Sequence, residues 1–259
     1  MRQLIIMTAL TLMACASTKS TAMAGNEPMP TAVEQNKTSV RRVSNFTKIA
    51  LIGSCDVIYT QGKTTSVKVV GKASEVDNIL TTVEHGTLVI KTNARGGTFG
   101  FRFGSSDDDV KVYVTSPDLT QIRLQGSGDF KAPRKIDSDN LTVTLVGSGD
   151  IDLRNVICDN FSLDVRGSGD VEIDKLCCAN SLIAIRGSGD IEINEEKVTT
   201  TNAEVYGSGD IELHLSQCGT VNCKVFGSGD ISLSGSLRHL NKSSKGSGSI
   251  HTRSLSFIR

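Results

Sequence analysis

The sequence predicts an all-β fold, a single-stranded parallel β-helix with about 20 residues in each coil. The first observation is a repeated phrase, GSGD, which begins six times from Gly126 to Gly227 and returns as GSGS at Gly246. The copies are 19 to 21 residues apart, a period typical of solenoids, whose coils bury their apolar faces against one another. The second observation is that apolar and polar residues alternate on both sides of each phrase, which predicts two strands with one buried face each.

The strand before each phrase is clear at Gly167, where Phe161, Leu163 and Val165 alternate with polar residues. Continued through the phrase, this alternation points both glycines inward and the serine and aspartate outward. Glycine in a strand marks a bend or a close backbone approach, so each GSG is predicted to be a corner at which a side chain would strike the wall of the coil. The predicted corner glycines are Gly126, Gly128, Gly147, Gly149, Gly167, Gly169, Gly187, Gly189, Gly207, Gly209, Gly227 and Gly229. Crossover connections between parallel strands are right-handed by default, so we expect a right-handed helix.

The N-terminal residues predict export. Arg2 precedes an apolar stretch over residues 4–14, which is too short to span a bilayer and fits the core of a signal peptide. Residues 1–24 are therefore predicted to be a signal peptide with two open cleavage sites, one after residue 24 and one before Cys15, in a sequence similar to a lipoprotein box. The second site would leave Cys15 acylated, as the chain's one membrane attachment. We expect a location in the periplasm, in the outer membrane or at the cell surface.

The chain beyond the signal peptide divides into a tether and a β-helix. Residues 25–42 include Pro28 and Pro30 and are predicted to form a flexible tether. The β-helix is predicted over residues 43–259, with clean repeats over 120–250. It begins with a degenerate copy, since the phrase GSCD at Gly53 has the same alternation on both sides.

Residues 94–109 are the one long interruption of the β pattern. Their sequence, ARGGTFGFRFGSSDDD, places Phe99, Phe101 and Phe103 in alternation with Gly100 and Arg102. Aromatic and arginine side chains supply many binding hot spots, so Phe99, Phe101, Arg102 and Phe103 are candidate binding residues for a partner or a second copy of the chain. The alternatives are a solvated glycine-rich loop and a set of rings that covers the N-terminal end of the solenoid.

Two acidic columns run along the predicted solenoid. Asp150, Asp170, Asp190 and Asp210 share one rung position, and Asp152, Glu172, Glu192 and Glu212 share another. Rungs lie about 4.8 Å apart, so neighbouring charges repel by about 1 kcal/mol in water. The favoured interpretation is that each aspartate accepts hydrogen bonds from turn amides or serine hydroxyls, with nearby cations screening the charge: Lys131, Arg166, Arg186 and Lys224. The alternative is calcium held between rungs by Asp150, Asp170, Asp190 and Asp210; no other cofactor is indicated.

The cysteines also follow the repeat. Cys158, Cys178 and Cys218 share a rung position with Val198, which predicts a packing column in which cysteine serves as a small apolar residue. A disulfide between Cys158 and Cys178 stays open as an alternative, because one-rung spacing falls within the allowed Cα separation. A zinc site is disfavoured, because no CxxC pair occurs.

The chain resembles a known bacterial family. The phrases that carry the resemblance are NFTKIALIGSCDVIYTQG at 45–62, VKVYVTSPDLTQIRLQGSGDF at 110–130 and the GSGD repeats that follow. They are similar to the "putative auto-transporter adhesin, head GIN domain" family of unknown function, from about residue 43 to the C-terminus. The resemblance implies a pectin-lyase-like β-helix, an exported or cell-surface location and an adhesive role.

Composition and motifs argue against several classes of function. Lys plus Arg equals Asp plus Glu at 28 each, so composition offers no basic field for nucleic acid or an anionic membrane. GSGD lacks the third glycine of a dinucleotide-binding fingerprint and the Lys-Ser/Thr of a P-loop. No recurrent serine–histidine pair indicates nucleophilic catalysis. The sequence therefore predicts a non-enzymatic exported envelope or surface protein, an adhesin or binding module for a surface glycan, a protein or its own second copy. The alternative is a polysaccharide lyase or hydrolase, although the uniform rungs leave no room for the long loops such enzymes use.

Overall fold

The structure is a computed structural model, and it describes residues 36–93 and 110–259. These residues form an all-β solenoid of about seven turns, which confirms the predicted fold class and rung length. The elements are β1 (Asn36–Arg41), β2 (Lys48–Gly53), β3 (Asp56–Gln61), β4 (Ser66–Lys72), α1 (Ala73–Val76), β5 (Ile79–Glu84), β6 (Thr87–Thr92), β7 (Lys111–Ser116), β8 (Gln121–Gly126), β9 (Phe130–Asp137), β10 (Asn140–Gly147), β11 (Ile151–Ile157), β12 (Asn160–Gly167), β13 (Val171–Cys177), β14 (Asn180–Gly187), β15 (Ile191–Glu196), β16 (Thr200–Val205), β17 (Ile211–Gly227), β18 (Ile231–Gly246) and β19 (Ile250–Phe257).

Each turn contributes one strand to each of two faces. The upstream face contains the strands that lead into a GSG or GSC corner, together with β6. Its members are β6, β2, β8, β10, β12, β14, β16 and the segments 220–227 and 239–246 of β17 and β18. The downstream face contains the strands that follow these corners, together with β7. Its members are β7, β3, β9, β11, β13, β15, the segments 211–216 and 231–237, and β19. Neighbouring turns pair in parallel and in register, so that Gly147, Gly167 and Gly187 follow one another along the solenoid.

The alternation seen in the sequence fills the interior. In β12, Phe161, Leu163 and Val165 are buried, and in β13 Val171 and Ile173 are buried. These side chains belong to one continuous apolar core that runs through the turns. Burial of apolar surface on both faces of each turn is the main stabilising contribution, and each turn depends on its neighbours for it.

The N-terminal part departs from the simple repeat. The first turn, β2 and β3, pairs directly with β8 and β9, although 73 residues separate Gly53 from its partner Gly126. The segment between them supplies β4 to β7, of which β6 and β7 extend the two faces in parallel. Antiparallel strands then cover this end, with β5 on β6, β4 on β7 and β1 on β4.

The prediction of a flexible tether over residues 25–42 is wrong for residues 36–41. Residues 36–41 form β1, in which Asn36 pairs with Lys72 and Arg41 with Val67. The Arg41 guanidinium also donates to the main-chain oxygen of Val76 at 2.8 Å. Residues 25–35 and the predicted signal peptide with Cys15 lie outside the described residues. Within 36–93 and 110–259, no helix has the length and apolar content needed to cross a bilayer.

Candidate functional site

The GSG corners bring neighbouring turns into close backbone contact. Gly147 has φ +136°, a conformation that favours glycine, and a Cβ placed there would lie 2.1 Å from the carbonyl oxygen of Gly126. A Cβ on Gly149 would lie 2.1 Å from the carbonyl oxygen of Gly128. The backbone of the preceding turn, and not the wall of the same coil, is therefore what excludes a side chain. The serine between them, Ser148, is exposed.

The aspartates of GSGD form a hydrogen-bonded ladder. The main-chain N–H of each donates to the Oδ1 of the aspartate one turn earlier, from Asp150 to Asp129 (3.1 Å), Asp170 to Asp150 (2.9 Å), Asp190 to Asp170 (2.7 Å), Asp210 to Asp190 (2.9 Å) and Asp230 to Asp210 (2.7 Å). The ladder extends to Asp56, which accepts from Asp129, and to Ser249, which donates to Asp230. A charged acceptor makes each bond stronger than a neutral one, and this offsets the repulsion between neighbouring carboxylates.

No part of the described chain brings together three His, Cys, Asp or Glu side chains able to hold one metal ion. The carboxylates of Asp150, Asp170, Asp190 and Asp210 each use one oxygen in the ladder. Calcium at this column stays the alternative interpretation, which chelation tests.

The predicted screening of this column is largely wrong. Lys131 lies 3.9 Å from Asp129, but the other three cations have partners on the upstream face. Arg166 and Arg186 both pair with Asp164, and Lys224 pairs with Glu204 at 2.9 Å. Arg166 and Arg186 stand one residue before a corner and Lys224 three residues before one, whereas the aspartates stand after the corners.

The second acidic column lies on the downstream face. Asp152, Glu172, Glu192 and Glu212 follow one another in register and are exposed. Desolvation and then the charges of Asp174, Asp152 and Glu192 raise the pKa of Glu172. The column is therefore a strip of mutually repelling carboxylates.

A serine and a histidine meet at the end of this strip. His214 Nδ1 and Ser234 Oγ are 2.7 Å apart, and His214 Nε2 lies 3.4 Å from Glu192 and 3.6 Å from Glu212. This serine–histidine–carboxylate group was missed in the sequence, although the one-rung offset between His214 and Ser234 could have shown it. Ser234 borders a shallow cavity of about 350 Å³ and His214 one of about 270 Å³. Both carboxylate distances exceed those of good hydrogen bonds.

The upstream face carries a stack of cationic and aromatic side chains. The rings of Tyr206 and Phe226 are parallel within 9°, with centroids 5.0 Å apart, and the Arg186 guanidinium lies 5.3 Å from the Tyr206 centroid. The Tyr206 hydroxyl donates to Glu204 Oε2 at 2.8 Å, and Lys224 donates to the other oxygen of that carboxylate. Cation–π contact, stacking and ion pairing together hold these exposed side chains in place.

An amide ladder runs beside this stack. Asn222 Nδ2 donates to Asn202 Oδ1 at 3.0 Å, and Asn241 Nδ2 donates to Asn222 Oδ1 at 2.8 Å. The three amides, with Lys224, Lys242 and Ser243, line a shallow cavity of about 340 Å³. Cys223 also lines this cavity, so that polar groups and apolar side-chain surface both face it.

The two faces differ in charge, although the chain as a whole is neutral. The strands of the upstream face carry eight solvent-accessible cations against the two carboxylates of Asp164 and Glu204; the cations are Lys48, Lys91, Arg123, Arg166, Arg186, Lys224, Lys242 and Lys245. The downstream face and the aspartate ladder carry fourteen accessible carboxylates, namely Asp56, Asp129, Asp137, Asp150, Asp152, Asp170, Glu172, Asp174, Asp190, Glu192, Glu196, Asp210, Glu212 and Asp230. Seven cations accompany them: Lys111, Lys131, Arg134, Lys135, Arg154, Lys175 and Arg253. Equal overall composition thus conceals an excess of cations on the upstream face and of carboxylates on the downstream face.

One carboxyl group lies in the core. Glu195 is 1% exposed and takes a place in register with Leu176 and Leu215. Burial raises its pKa to about 7, and the hydrogen bond that the Thr201 hydroxyl donates to Oε2 at 2.6 Å opposes this change. Unbroken alternation from Ile191 would have revealed this inward glutamate in the sequence.

The cysteine column is buried as expected. Cys158, Cys178, Val198 and Cys218 are each less than 9% exposed, and these three cysteines are free thiols. A hydrogen bond from Cys178 lowers the pKa of the Cys158 thiol, and burial opposes this change. The candidate binding residues Phe99, Phe101, Arg102 and Phe103 lie outside the described residues.

Comparisons with known proteins agree with this fold. The model of the family described as "Putative auto-transporter adhesin, head GIN domain" matches residues 45–217 and 181–257. A solved "putative adhesin" from Bacteroides fragilis NCTC 9343 is 24% identical over 84% of this chain and 97% of its own, with a TM-score of 0.72. A "putative adhesin" from Parabacteroides distasonis ATCC 8503 is 18% identical over 85% and 97%, with a TM-score of 0.68. A "putative lipid binding protein" from the same organism is 24% identical over 83% and 96%, with a TM-score of 0.58.

Among curated proteins, none matches this chain. The solved structures establish a shared fold. The family match includes the GSCD phrase and all six GSGD phrases, and it covers most of the chain. The resemblance inferred from the repeats is confirmed, and the chain belongs to the head GIN domain family of auto-transporter adhesin-like proteins.

Proposed function

We propose that this protein is a non-enzymatic, exported binding module of the cell envelope that adheres to a surface glycan or protein. The observation that carries the proposal is the pair of flat faces, on which exposed side chains stand in registered columns such as Asn202, Asn222 and Asn241. A rigid array of this kind presents many weak contacts to an extended partner. The family's description as an adhesin supports the same function.

Export and membrane attachment belong to this proposal. The apolar stretch at residues 4–14 supports secretion, and Cys15 supports a lipid anchor. Cell fractionation of the wild type and of Cys15→Ser tests both. Recovery of the wild type with membranes and of the variant in the soluble exported fraction would support the anchor, whereas a cytoplasmic location of both would overturn export.

A glycan array and a cell-binding assay with the purified protein test the adhesive function. We expect saturable binding to at least one envelope glycan or intact cell type. A protein that retains its β-rich circular dichroism but binds neither glycans nor cells would contradict the proposal.

The second candidate function is hydrolysis of polysaccharides or their ester substituents. It is favoured by one observation, the 2.7 Å contact between His214 and Ser234 beside Glu192 and Glu212. The long carboxylate distances favour the binding module instead. Turnover of a chromogenic ester that is lost in both His214→Ala and Ser234→Ala would establish the hydrolase.

A further inference from the structure

We infer that the upstream face binds an acidic polysaccharide, an inference that rests on the proposed adhesive function and names the partner. The first argument is charge complementarity. Seven outward-facing cations stand on this face against two carboxylates, while Lys242 is in register with the buried Cys223. Both carboxylates are already paired, Asp164 with Arg166 and Arg186, and Glu204 with Lys224. A net positive field remains along the strands, and it attracts a polyanion.

The second argument is that Arg186, in the middle of this face, is held in a fixed position. Arg186 lies over the ring of Tyr206, which stacks on Phe226. Phe226 in turn is in register with Lys245 on the next turn. Side chains that are already ordered lose less conformational entropy when they bind a ligand. The stacked side chains of Arg186, Tyr206 and Phe226 are therefore preorganised for binding.

The third argument is the neutral hydrogen-bonding groups beside the cations. The ladder uses one N–H of Asn222 and one of Asn241, and an amide group has two such donors. The second N–H of each stays available at the cavity of about 340 Å³, which Lys224 and Ser243 also line. Amides and hydroxyls match the hydroxyl groups of sugars, and ammonium groups match their carboxylates.

The spacing of charge favours a polysaccharide over a nucleic acid. Duplex DNA carries one charge per about 1.7 Å of its axis, whereas successive turns of this face are about 4.8 Å apart. In the row directly before the corner, the uncharged rings of Tyr206 and Phe226 separate Arg186 from Lys245. Charges separated by uncharged hydrogen-bonding groups fit a polymer that carries one carboxylate every sugar or two.

Binding of polygalacturonate by the full-length protein tests the inference, with neutral dextran and duplex DNA as comparison polymers. The test variant is Arg186→Ser with Lys224→Ser and Lys245→Ser. The matched control removes the same charge from the downstream face, Lys131→Ser with Lys135→Ser and Lys175→Ser. Because loss of Lys224 leaves Glu204 unpaired, Lys245→Glu alone serves as a second variant that does not disturb this ion pair.

We expect polygalacturonate to bind at low ionic strength, to dissociate as salt is added, and to bind about tenfold more weakly to both upstream variants. The control variant should bind like the wild type. Equal loss in the upstream and control variants, or tighter binding of DNA than of polygalacturonate, would overturn the inference. Binding to cells or neutral glycans without any binding of polygalacturonate would also overturn it, while leaving the proposed adhesive function intact.

Discussion

Asp170 donates its main-chain N–H to the Oδ1 of Asp150 at 2.9 Å, and its own carboxylate accepts from Asp190 one turn later. The same residue is thus both a donor and an acceptor in the ladder. Its main-chain oxygen also accepts from Ile151 on the preceding turn at 2.9 Å. One residue type at one rung position therefore ties each turn to both of its neighbours.

Replacing Asp170 tests the stability that the ladder provides. Asp170→Ala leaves the N–H of Asp190 without its acceptor, and we expect a loss of about 1 to 3 kcal/mol in the free energy of unfolding. Asp170→Asn keeps an acceptor oxygen and relieves repulsion, so its loss should be below about 1 kcal/mol. Urea denaturation measures both. An alanine variant as stable as the wild type would show that the ladder contributes nothing.

Calcium gives a second test of the same column. We expect neither chelation nor added calcium to change the melting temperature, because the ladder already offsets the charge of Asp150, Asp170, Asp190 and Asp210. An ion bound only by the folded state would raise the melting temperature by mass action. A rise of many degrees that disappears in Asp170→Asn with Asp190→Asn would refute this expectation.

The corner glycines should tolerate no side chain at all. A Cβ on Gly169 would lie 2.1 Å from the carbonyl oxygen of Gly149, so even Gly169→Ala should cost about 2 kcal/mol or more, and Gly169→Val more still. Ser168 is exposed, and Ser168→Ala should cost less than about 0.5 kcal/mol. Thermal unfolding of the three variants compares them. Similar melting temperatures for Gly169→Ala and Ser168→Ala would be incompatible with the close backbone approach.

Glu195 should make stability depend on pH. Its pKa in the folded state is about 7, above the ordinary 4.5, so the folded state holds the proton more tightly than the unfolded state. The resulting stabilisation is complete below pH 4.5 and is lost as pH rises through 7. This difference in pKa corresponds to a loss of about 3 kcal/mol in the free energy of unfolding.

Glu195→Gln tests this dependence, because glutamine is neutral at every pH. In the wild type, the free energy of unfolding should fall between pH 5 and pH 8, and in the variant most of this fall should disappear. At pH 8 the variant should therefore be more stable than the wild type. Glu196→Gln is the control, since Lys175 lowers the pKa of Glu196 and a change there acts at acidic pH. An unchanged pH profile in Glu195→Gln would assign the dependence to other groups.

The stretch with Phe99, Phe101, Arg102 and Phe103 stays a predicted contact for a partner or a second copy of the chain. Deleting residues 96–104 should reduce self-association in sedimentation velocity while leaving circular dichroism and the melting temperature nearly unchanged. A deletion that unfolds the protein would show that these residues belong to the core instead.

The sequence by itself determined the solenoid. The period of about 20, the alternation around Gly167 and the glycines of each corner are local patterns, and each follows from what one turn of a β-helix requires of its own residues. The family resemblance rests on these same patterns. They could be recognised without knowing which side chains meet across turns.

Only the tertiary structure decided which residues are neighbours and what each face carries. The pairing of Gly53 with Gly126, the contact of His214 with Ser234 and the shift that places Glu195 beside Leu176 all depend on strand register. The basic upstream face depends on it as well, since side chains such as Arg186 and Lys224 gather there only when successive turns stack. Residues one turn apart lie about 4.8 Å from each other in space. Composition does not reveal this proximity, which creates the surfaces on which the proposed function depends.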